Sequence, residues 1–231
     1  MTIRGVIFDL FHTLTGLASE RSDLPWTCDV LGVDRARWNE LLTARSRWRL
    51  AGEEKDPYRI LSALAHEADP TISEDRIREA LRIRIQRFRD SLLRVPEENV
   101  VALRRLRAGG FRLGLVSNAD AMEIAAWGDC PLAGLFDAEV FSCMVGCVKP
   151  ERAIYENCLL KLGLAAEECL FVGDGGSNEL AGARDMGMST VFVSGIIAEL
   201  WPARVPERLA LCDHHVERIP EVLMLLGLPP A

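Results

Sequence analysis

The sequence predicts an α/β protein: a Rossmann-like core on a parallel sheet of about five strands, with an inserted all-helical cap domain. One apolar run opens the chain, and four more alternate with helical patterns after residue 95. Such alternation is typical of a parallel sheet covered on both faces. Residues 16–94 carry helical patterns alone. Because 231 residues suffice for a core with an insertion, we expect the core at residues 1–15 and 95–231 and the cap at residues 16–94.

The first strand is predicted at residues 3–10, an apolar run (IRGVIFDL) that ends in the carboxylate of Asp9. An apolar run of this length is typical of a strand buried on both faces. The other four strands are predicted at residues 112–117, 138–142, 169–173 and 190–194. Helical patterns lie at residues 96–108, 119–127, 151–162 and 178–186.

The inserted segment is predicted to contain three helices, each opened by residues that commonly cap or start a helix: Asp34 to about Leu50, Asp56-Pro57 to about Ala68, and Ser73 to about Leu92. Residues 1–95 hold 16 basic and 15 acidic side chains, whereas residues 96–231 hold 11 and 19. This basic half fits either an anionic substrate or an arginine-rich solvated surface. Arg45 and Arg49 lie four apart on one predicted helix, so we expect both to reach one substrate anion.

The composition excludes several classes of protein. A formal charge of −7 and a pI near 5.2 argue against sequence-independent binding to nucleic acid. The chain has no apolar run of 18 residues and no basic, apolar leader, so we expect neither a membrane span nor a signal peptide. Seven scattered cysteines indicate reduced thiols in a cytoplasmic protein. The expected partner is a small anionic substrate, and the expected assembly is a monomer or a homodimer.

Polar side chains stand where the predicted strands end. The first strand ends in Asp9, with Thr13 four residues later, and the second ends in Ser117-Asn118. Lys149 precedes the helix after the third strand, and Asp174 follows the fourth. Ligands of open parallel sheets bind at the carboxyl ends of the strands. One such residue is commonly a cap or a turn, but four segments at one edge predict a site.

These four segments resemble the motifs of the haloacid dehalogenase (HAD) superfamily hydrolases that carry a helical cap after the first strand. They stand here, in the family's order, as FDLFHTL (8–14), LVSN (115–118), KPERAIYE (149–156) and FVGDGGSNELAGARDMGM (171–188). The resemblance covers the chain outside the cap. It implies a hydrolase with a Rossmann-like core and, in the phosphatases of the family, a Mg²⁺ cofactor.

The resemblance also implies a role for each acidic residue. Asp9 would be the nucleophile that forms a covalent aspartyl intermediate. Asp9, Asp174 and the backbone carbonyl of Phe11 would hold Mg²⁺, a hard cation that prefers oxygen ligands. Glu179 stands where the family often has a further acidic residue, usually aspartate.

The remaining motif residues would act on the substrate. Ser117 and the backbone N–H of Asn118 would bind the transferring group. Lys149 would offset its charge and the mutual repulsion of the two carboxylates. Thr13 would orient the nucleophile.

The chain departs from the phosphatases of the family at residue 11. They carry a second aspartate two residues after the nucleophile, which protonates the leaving group, whereas Phe11 cannot transfer a proton. His12 is adjacent, but neighbours on an extended segment face opposite ways. Three functions stay open: a Mg²⁺-dependent phosphohydrolase, a metal-free hydrolase like the 2-haloacid dehalogenases, which have an aromatic residue here, and a binding protein with weakened catalysis. Asp174 and the intact motifs favour the phosphohydrolase.

Overall fold

The computed structural model describes residues 2–18 and 20–229 and has a parallel sheet at its centre. In these residues the strands are β1 (Gly5–Phe8), β2 (Arg112–Ser117), β3 (Ala138–Phe141), β4 (Cys169–Gly173), β5 (Ser189–Val193) and β6 (His214–Val216). They lie in the order β3-β2-β1-β4-β5-β6, and every neighbouring pair is parallel. The predicted Rossmann-like sheet is confirmed, with β1 between β2 and β4.

The edge strand β6 was not among the five predicted strands. It has three residues, of which the first two are exposed, so it lacks the apolar run that marks the others. Main-chain pairing holds it to β5. Just before it, the carboxylate of Asp213 accepts hydrogen bonds from the backbone N–H and the hydroxyl of Thr190, both at 2.9 Å. A strand that is held mainly by hydrogen bonds to its neighbour's backbone needs no apolar pattern, so the sequence does not predict it.

The segment between β1 and β2 is helical, as predicted. Its helices are α1 (Thr27–Leu31), α2 (Arg35–Ala44), α3 (Ser46–Leu50), α4 (Pro57–Ala68) and α5 (Glu74–Leu93). The side chain of Asp56 caps α4 by accepting the backbone N–H of Arg59 at 2.8 Å. The prediction of one helix from Asp34 to Leu50 is wrong, because the chain leaves helical geometry at Arg45 and starts again as α3.

This helical segment has an apolar cluster that includes Leu31, Trp38 and Ile60 and takes in one residue from outside the segment, Met122. Two other clusters lie on the two faces of the sheet: Phe8 belongs to one and Ile7 to the other, because successive strand residues point to opposite faces. A separate core is what an inserted domain requires. The domain boundaries at residues 16 and 94 stay a prediction.

Further helices flank the sheet: α6 (Glu97–Ala108), α7 (Ser142–Val145), α8 (Arg152–Leu162), α9 (Glu179–Asp185), α10 (Gly195–Leu200), α11 (Val205–Leu209) and α12 (Val222–Leu225). The helix predicted at residues 119–127 is wrong, because the chain forms turns there and then a short 3₁₀ helix at Trp127–Asp129. Asp120 Oδ1 accepts the backbone N–H groups of Met122 and Glu123 at 2.9 and 3.1 Å. Such side-chain bonds to the backbone compete with a helix.

Two further features of the described residues concern membrane-spanning helices and the cysteine thiols. No helix in the described part of the chain is both long and apolar enough to cross a bilayer. The cysteines carry free thiols, and all but Cys212 are buried. Burial raises the pKa of the Cys143 thiol to about 11, so this cysteine packs as a protonated apolar group.

Candidate active site

The predicted site residues meet at the carboxyl edge of the sheet. Asp9 follows β1, Ser117 ends β2 and Asp174 follows β4, and these three strands are neighbours. Lys149 comes from the loop between α7 and α8. Because parallel strands bring their carboxyl ends to one edge, segments far apart in the sequence lie together. All four residues are buried.

Lys149 joins two carboxylates at this edge. Its Nζ donates hydrogen bonds to Asp9 Oδ1 and to Glu179 Oε2, each at 2.5 Å. The hydroxyl of Thr13 donates to the other oxygen of Asp9, Oδ2, at 2.9 Å. Glu179 Oε1 accepts the backbone N–H of Gly175 at 3.0 Å. Asp9 is therefore held at both oxygens, and Glu179, whose reach the sequence leaves open, belongs to the same cluster.

Burial and charge shift the pKa values of this cluster. Burial raises the pKa of Asp9, Lys149 opposes the shift, and Asp174 adds to it. Burial raises the pKa of Glu179 well above its usual value, and Asp9 reinforces the shift against Lys149. For Lys149 burial acts to lower the pKa, but Asp9 and Glu179 outweigh it and raise the pKa. Lys149 therefore stays a cation, and it is what allows two buried carboxyl groups to stand side by side.

Asp174 is bound by an arginine that the sequence did not indicate. Arg208 in α11 donates from Nη1 to Asp174 Oδ2 at 3.0 Å and to the backbone carbonyl of Asp174 at 2.5 Å. The other carboxylate oxygen, Oδ1, accepts the backbone N–H of Gly176 at 2.8 Å. The side chains of Arg208 and Asp174 are 11% and 9% exposed, so this ion pair is nearly shielded from solvent.

Three carboxylates of this edge could share a cation. Oxygen atoms of Asp9, Asp174 and Glu179 lie within 4.8 Å of one another, and all three residues are buried. A set of carboxylate oxygens suits Mg²⁺, and like charges held this close out of water favour a positive ion between them. The donor chemistry therefore fits the metal that the resemblance implies.

Ser117 and Asn118 differ in what their side chains do. Ser117 Oγ is buried and has no hydrogen-bond partner among the described residues, which fits a hydroxyl that serves a ligand. The side chain of Asn118, in contrast, clamps the backbone of Lys149. Its Oδ1 accepts the Lys149 N–H at 2.7 Å and its Nδ2 donates to the Lys149 carbonyl at 3.0 Å. The substrate-binding prediction for Asn118 is therefore limited to its backbone N–H, and its side chain positions Lys149.

The segment after Asp9 is a turn and not an extended strand, so the expectation that Phe11 and His12 face opposite ways has no basis. His12 has a left-handed backbone, with φ of 61°, and its Nε2 lies 3.5 Å from Glu20 Oε1. Burial lowers the pKa of His12, but Glu20, Asp174 and Asp9 outweigh it, so this pKa lies above its usual value. The ring of Phe11 packs against Phe88 of α5.

The structure separates Arg45 from Arg49, so the prediction that they share one anion is wrong. Arg45 pairs with Glu67 at 2.9 Å on the exposed surface. Arg49 is buried and donates to Asp120 at 2.8 Å and to Glu123 at 3.2 Å. The break between α2 and α3 is the reason, because it destroys the helical spacing that would align the two side chains.

Arg49 belongs to a buried cluster of four charges that joins the helical segment to the core. Arg84 of α5 donates from Nη2 to Glu123 at 2.7 Å and lies 3.7 Å from Asp120. Asp120 and Glu123 stand in the turns that follow Ser117. The helical segment is thereby attached by charge to the loop next to the candidate site.

Two cavities lie between the helical segment and the turn that follows Asp9. One has a volume of about 120 Å³ and is lined by Phe11, Phe88 and Arg84, among others. The other, of about 410 Å³, is lined by Trp26, Trp38 and Arg84, among others. Trp26 and Trp38 thus line a cavity while they also pack in the apolar cluster of the helical segment. Space for a small molecule adjoins the turn that follows Asp9.

Sequence reasoning did not assign roles to two residues of this region. Tyr155 donates its hydroxyl to the backbone carbonyl of Glu179 at 2.9 Å and is fully buried. The sequence could have indicated Tyr155, because this residue lies in the same motif as Lys149, on the helix that follows. Arg208 had no such signal: it lies 34 residues after Asp174, in a segment of short helices without a clear periodic pattern.

A model of the haloacid dehalogenase-like hydrolase family matches residues 3–187. Bifunctional epoxide hydrolase 2 of Rattus norvegicus is 41% identical over 93 residues, which are 38% of this chain and 17% of that protein. The glyceraldehyde 3-phosphate phosphatase of Methanocaldococcus jannaschii is 26% identical over 200 residues, which are 83% of this chain and 85% of that protein.

Solved structures share the fold. An L-2-haloacid dehalogenase superposes with a TM-score of 0.70 and 23% identity, over 98% of this chain and 100% of that one. A HAD phosphatase from Thermococcus onnurineus is also among the structural neighbours, with a TM-score of 0.61, 20% identity and coverage of 99% and 100% of the two chains. The fold is therefore common to dehalogenases and phosphatases, and the chain belongs to the haloacid dehalogenase-like hydrolase family.

Proposed function

We propose that this hydrolase is a Mg²⁺-dependent phosphohydrolase that acts on a small phosphorylated metabolite through an aspartyl-phosphate intermediate. The observation that carries the proposal is the buried cluster of Asp9, Asp174 and Glu179, whose oxygens lie within 4.8 Å of one another. A metal-free displacement at carbon has no need of Asp174 beside a nucleophile and its lysine. The phosphatase relative that aligns over 83% of the chain supports the same activity.

In this proposal Asp9 attacks phosphorus with a carboxylate oxygen. The bond from phosphorus to the leaving oxygen breaks, and its electron pair departs with the leaving group. Water then hydrolyses the acyl phosphate and restores the carboxylate. Thr13 and Lys149, each bonded to a different oxygen of Asp9, fix the direction of that carboxylate.

The remaining groups bind the phosphoryl group. Ser117 Oγ, buried and without a partner in the described chain, would donate to a phosphoryl oxygen. Lys149 would neutralise charge beside it. Asp9, Asp174 and the backbone carbonyl of Phe11 would hold Mg²⁺, which supplies positive charge to the phosphoryl oxygens when bound. We also propose that residues 16–94 act as a cap whose cavities select the substrate.

Phe11 restricts the substrates that this site turns over. A missing general acid costs about 10²–10⁴ in rate when the leaving group is a basic alkoxide. An acyl or aryl phosphate leaves without a proton and escapes most of that loss. We therefore propose substrates with good leaving groups, and His12, beside Phe11, as the group nearest in sequence that could donate a proton.

A second candidate function is hydrolysis at carbon, as in a 2-haloacid dehalogenase. Two observations favour it: the aromatic contact of Phe11 with Phe88 and the neutralisation of Asp174 by Arg208. A halide leaves without a proton, and a carboxylate already paired with arginine has less need of a metal. Glu179 does not distinguish the two functions, because Lys149 already binds it.

The test is release of phosphate from acetyl phosphate and p-nitrophenyl phosphate, with Mg²⁺ and with a chelator, beside release of chloride from 2-chloropropionate. We expect Mg²⁺-dependent phosphate release that Asp9→Asn abolishes. Asp185→Asn makes the same chemical change on an exposed residue of α9 and should keep full activity. Chloride release that needs Asp9 but no metal would replace the proposal with the second candidate. If neither phosphate nor chloride is released in any assay, the remaining function is that of a binding protein with weakened catalysis.

A further inference from the structure

We infer that Arg208 is a built-in counter-ion of Asp174 that competes with a divalent cation for this carboxylate. The inference rests on the proposed Mg²⁺ site, and it adds a residue, Arg208, that weakens the binding of Mg²⁺ to that site. Arg208 would thereby set how much Mg²⁺ the site needs before it is filled.

The contact is direct, and it takes one of the two oxygens that a cation could use. Arg208 Nη1 lies 3.0 Å from Asp174 Oδ2, and the same nitrogen lies 2.5 Å from the backbone carbonyl of Asp174. Asp174 Oδ1 is bonded to the N–H of Gly176. A cation bound to Asp174 must therefore share Oδ2 with the guanidinium group or take the remaining lone pair of Oδ1.

The backbone after β4 leaves room for this arginine. Gly175 has φ of +81°, and a Cβ built on it would lie 3.0 Å from both Cγ and Cδ of Arg208. The side-chain stem of Arg208 thus lies against a glycine that has no side chain to displace it. Trp201, from the same stretch between β5 and β6, contacts His12 with 5.2 Å between ring centroids. The stretch between β5 and β6 therefore contacts the site at two points, through Trp201 at His12 and through Arg208 at Asp174.

The charge count predicts the direction of the effect. Arg208 offsets the negative charge of Asp174. Without Arg208 the cluster would carry one more unit of negative charge to attract an incoming cation. The pair is nearly shielded from solvent, so salt screens the interaction weakly. Asp174 would keep its position, because the Gly176 N–H still holds it at the end of β4.

The experiment is calorimetric titration of Mg²⁺ alone into the purified chain without substrate. Arg208→Met removes the charge and keeps an apolar stem, whereas Arg208→Lys keeps the charge. We expect Arg208→Met to bind Mg²⁺ at least about tenfold more tightly than the unaltered chain, because a nearby positive charge repels a divalent ion even at the dielectric constant of water. Arg208→Lys should stay close to the unaltered chain, and Asp174→Asn should lose most of the binding.

Equal or weaker binding by Arg208→Met, while the unaltered chain binds and Asp174→Asn does not, overturns the inference and leaves the metal proposal intact. No binding by any variant overturns both. If Arg208→Met does not fold, the inference is tested instead by nitrogen-15 NMR of the arginine Nε–H groups in the unaltered chain. The Arg208 signal, assigned by its loss in Arg208→Lys, should shift on addition of Mg²⁺. An unmoved signal, in a chain that binds the ion, overturns the inference.

Discussion

The ring of Phe11 packs edge to face against the ring of Phe88, with 5.5 Å between the ring centroids. Phe11 stands two residues after the candidate nucleophile, and Phe88 belongs to α5 of the helical segment. The position that holds a proton-transferring carboxylate in phosphatases of the family is therefore part of an apolar contact between helix and core. Phe11 thus belongs both to the proposed leaving-group preference and to the contact that attaches the helical segment.

Phe11→Asp should raise the turnover of an alkyl phosphate by about tenfold or more, within the range that a general acid contributes, and leave acetyl phosphate nearly unchanged. The same substitution should lower the melting temperature, because it removes the contact with Phe88. Steady-state kinetics measure the change in turnover on each of the two substrates. Phe11→Asn has the same shape without a proton to give and is the matched control. A similar gain in both variants, or on both substrates, would show that the proton is not the cause.

Ser117→Ala should separate stability from activity. Its hydroxyl is buried without a partner among the described residues, and such a group is costly to bury. Removal should leave the melting temperature unchanged or raise it, while kcat/KM falls at least about tenfold through the loss of one bond to the transition state. Ser142 is the control, because its buried hydroxyl accepts the Ala119 N–H at 3.0 Å and donates to the Ala119 carbonyl. Ser142→Ala should lower stability, and loss of stability in Ser117→Ala would contradict the assignment.

Asn118→Ala should lower kcat more than it changes KM. Its amide fixes the Lys149 backbone through two hydrogen bonds, each worth about 1 kcal/mol in stability, and a displaced lysine no longer fits the transition state. Asn157→Ala is the control, since among the described residues the Asn157 amide binds only a carbonyl of its own helix. Thermal unfolding measures the change in stability, and steady-state kinetics measure the changes in kcat and KM. A rise in KM with unchanged kcat would instead indicate that the Asn118 side chain binds substrate.

Asp213 predicts how stability depends on pH. Burial acts to raise its pKa, but hydrogen bonds from Thr190 and Arg184 outweigh it, so the pKa lies below its usual value in the folded chain. A carboxyl with a lowered pKa stabilises the fold above its unfolded pKa, and that contribution disappears as the pH falls through the folded pKa. Asp213→Asn should therefore cost about 1 kcal/mol at pH 7, the scale of one hydrogen bond.

The difference between the two chains should shrink below pH 4. Urea unfolding at pH 7, 5 and 3.5 measures it, with the unaltered chain and Asp213→Asn compared at each pH so that the other acidic groups cancel. A difference that stays constant over this range would show that the carboxylate charge does not hold β6.

Most of the fold followed from short-range patterns. The apolar runs of β1, β2 and β4 and the capping residues of α4 predicted elements whose cause is local. What failed has one local cause and one cause that lies in a distant segment. Asp120 turns the chain away from a helix with its own side chain, and β6 exists because β5 offers it a backbone to pair with.

The candidate site divides in the same way. Asp9, Ser117, Lys149 and Asp174 were predictable because strand ends carry them to one edge. Arg208 was not, since its place depends on how the stretch between β5 and β6 packs over Gly175. The proposed binding of one anion by Arg45 and Arg49 failed because a helix break, invisible in the residue pattern, separates them.

The buried cluster of Arg49, Arg84, Asp120 and Glu123 sets a limit on dissecting this protein. Burial and Asp120 already raise the pKa of Glu123, and the two arginines oppose that shift. Excision of residues 16–94 would remove both arginines and leave the adjacent carboxylates of Asp120 and Glu123 without these counter-ions. A core without residues 16–94 should therefore be more stable with Asp120 and Glu123 replaced than with both retained.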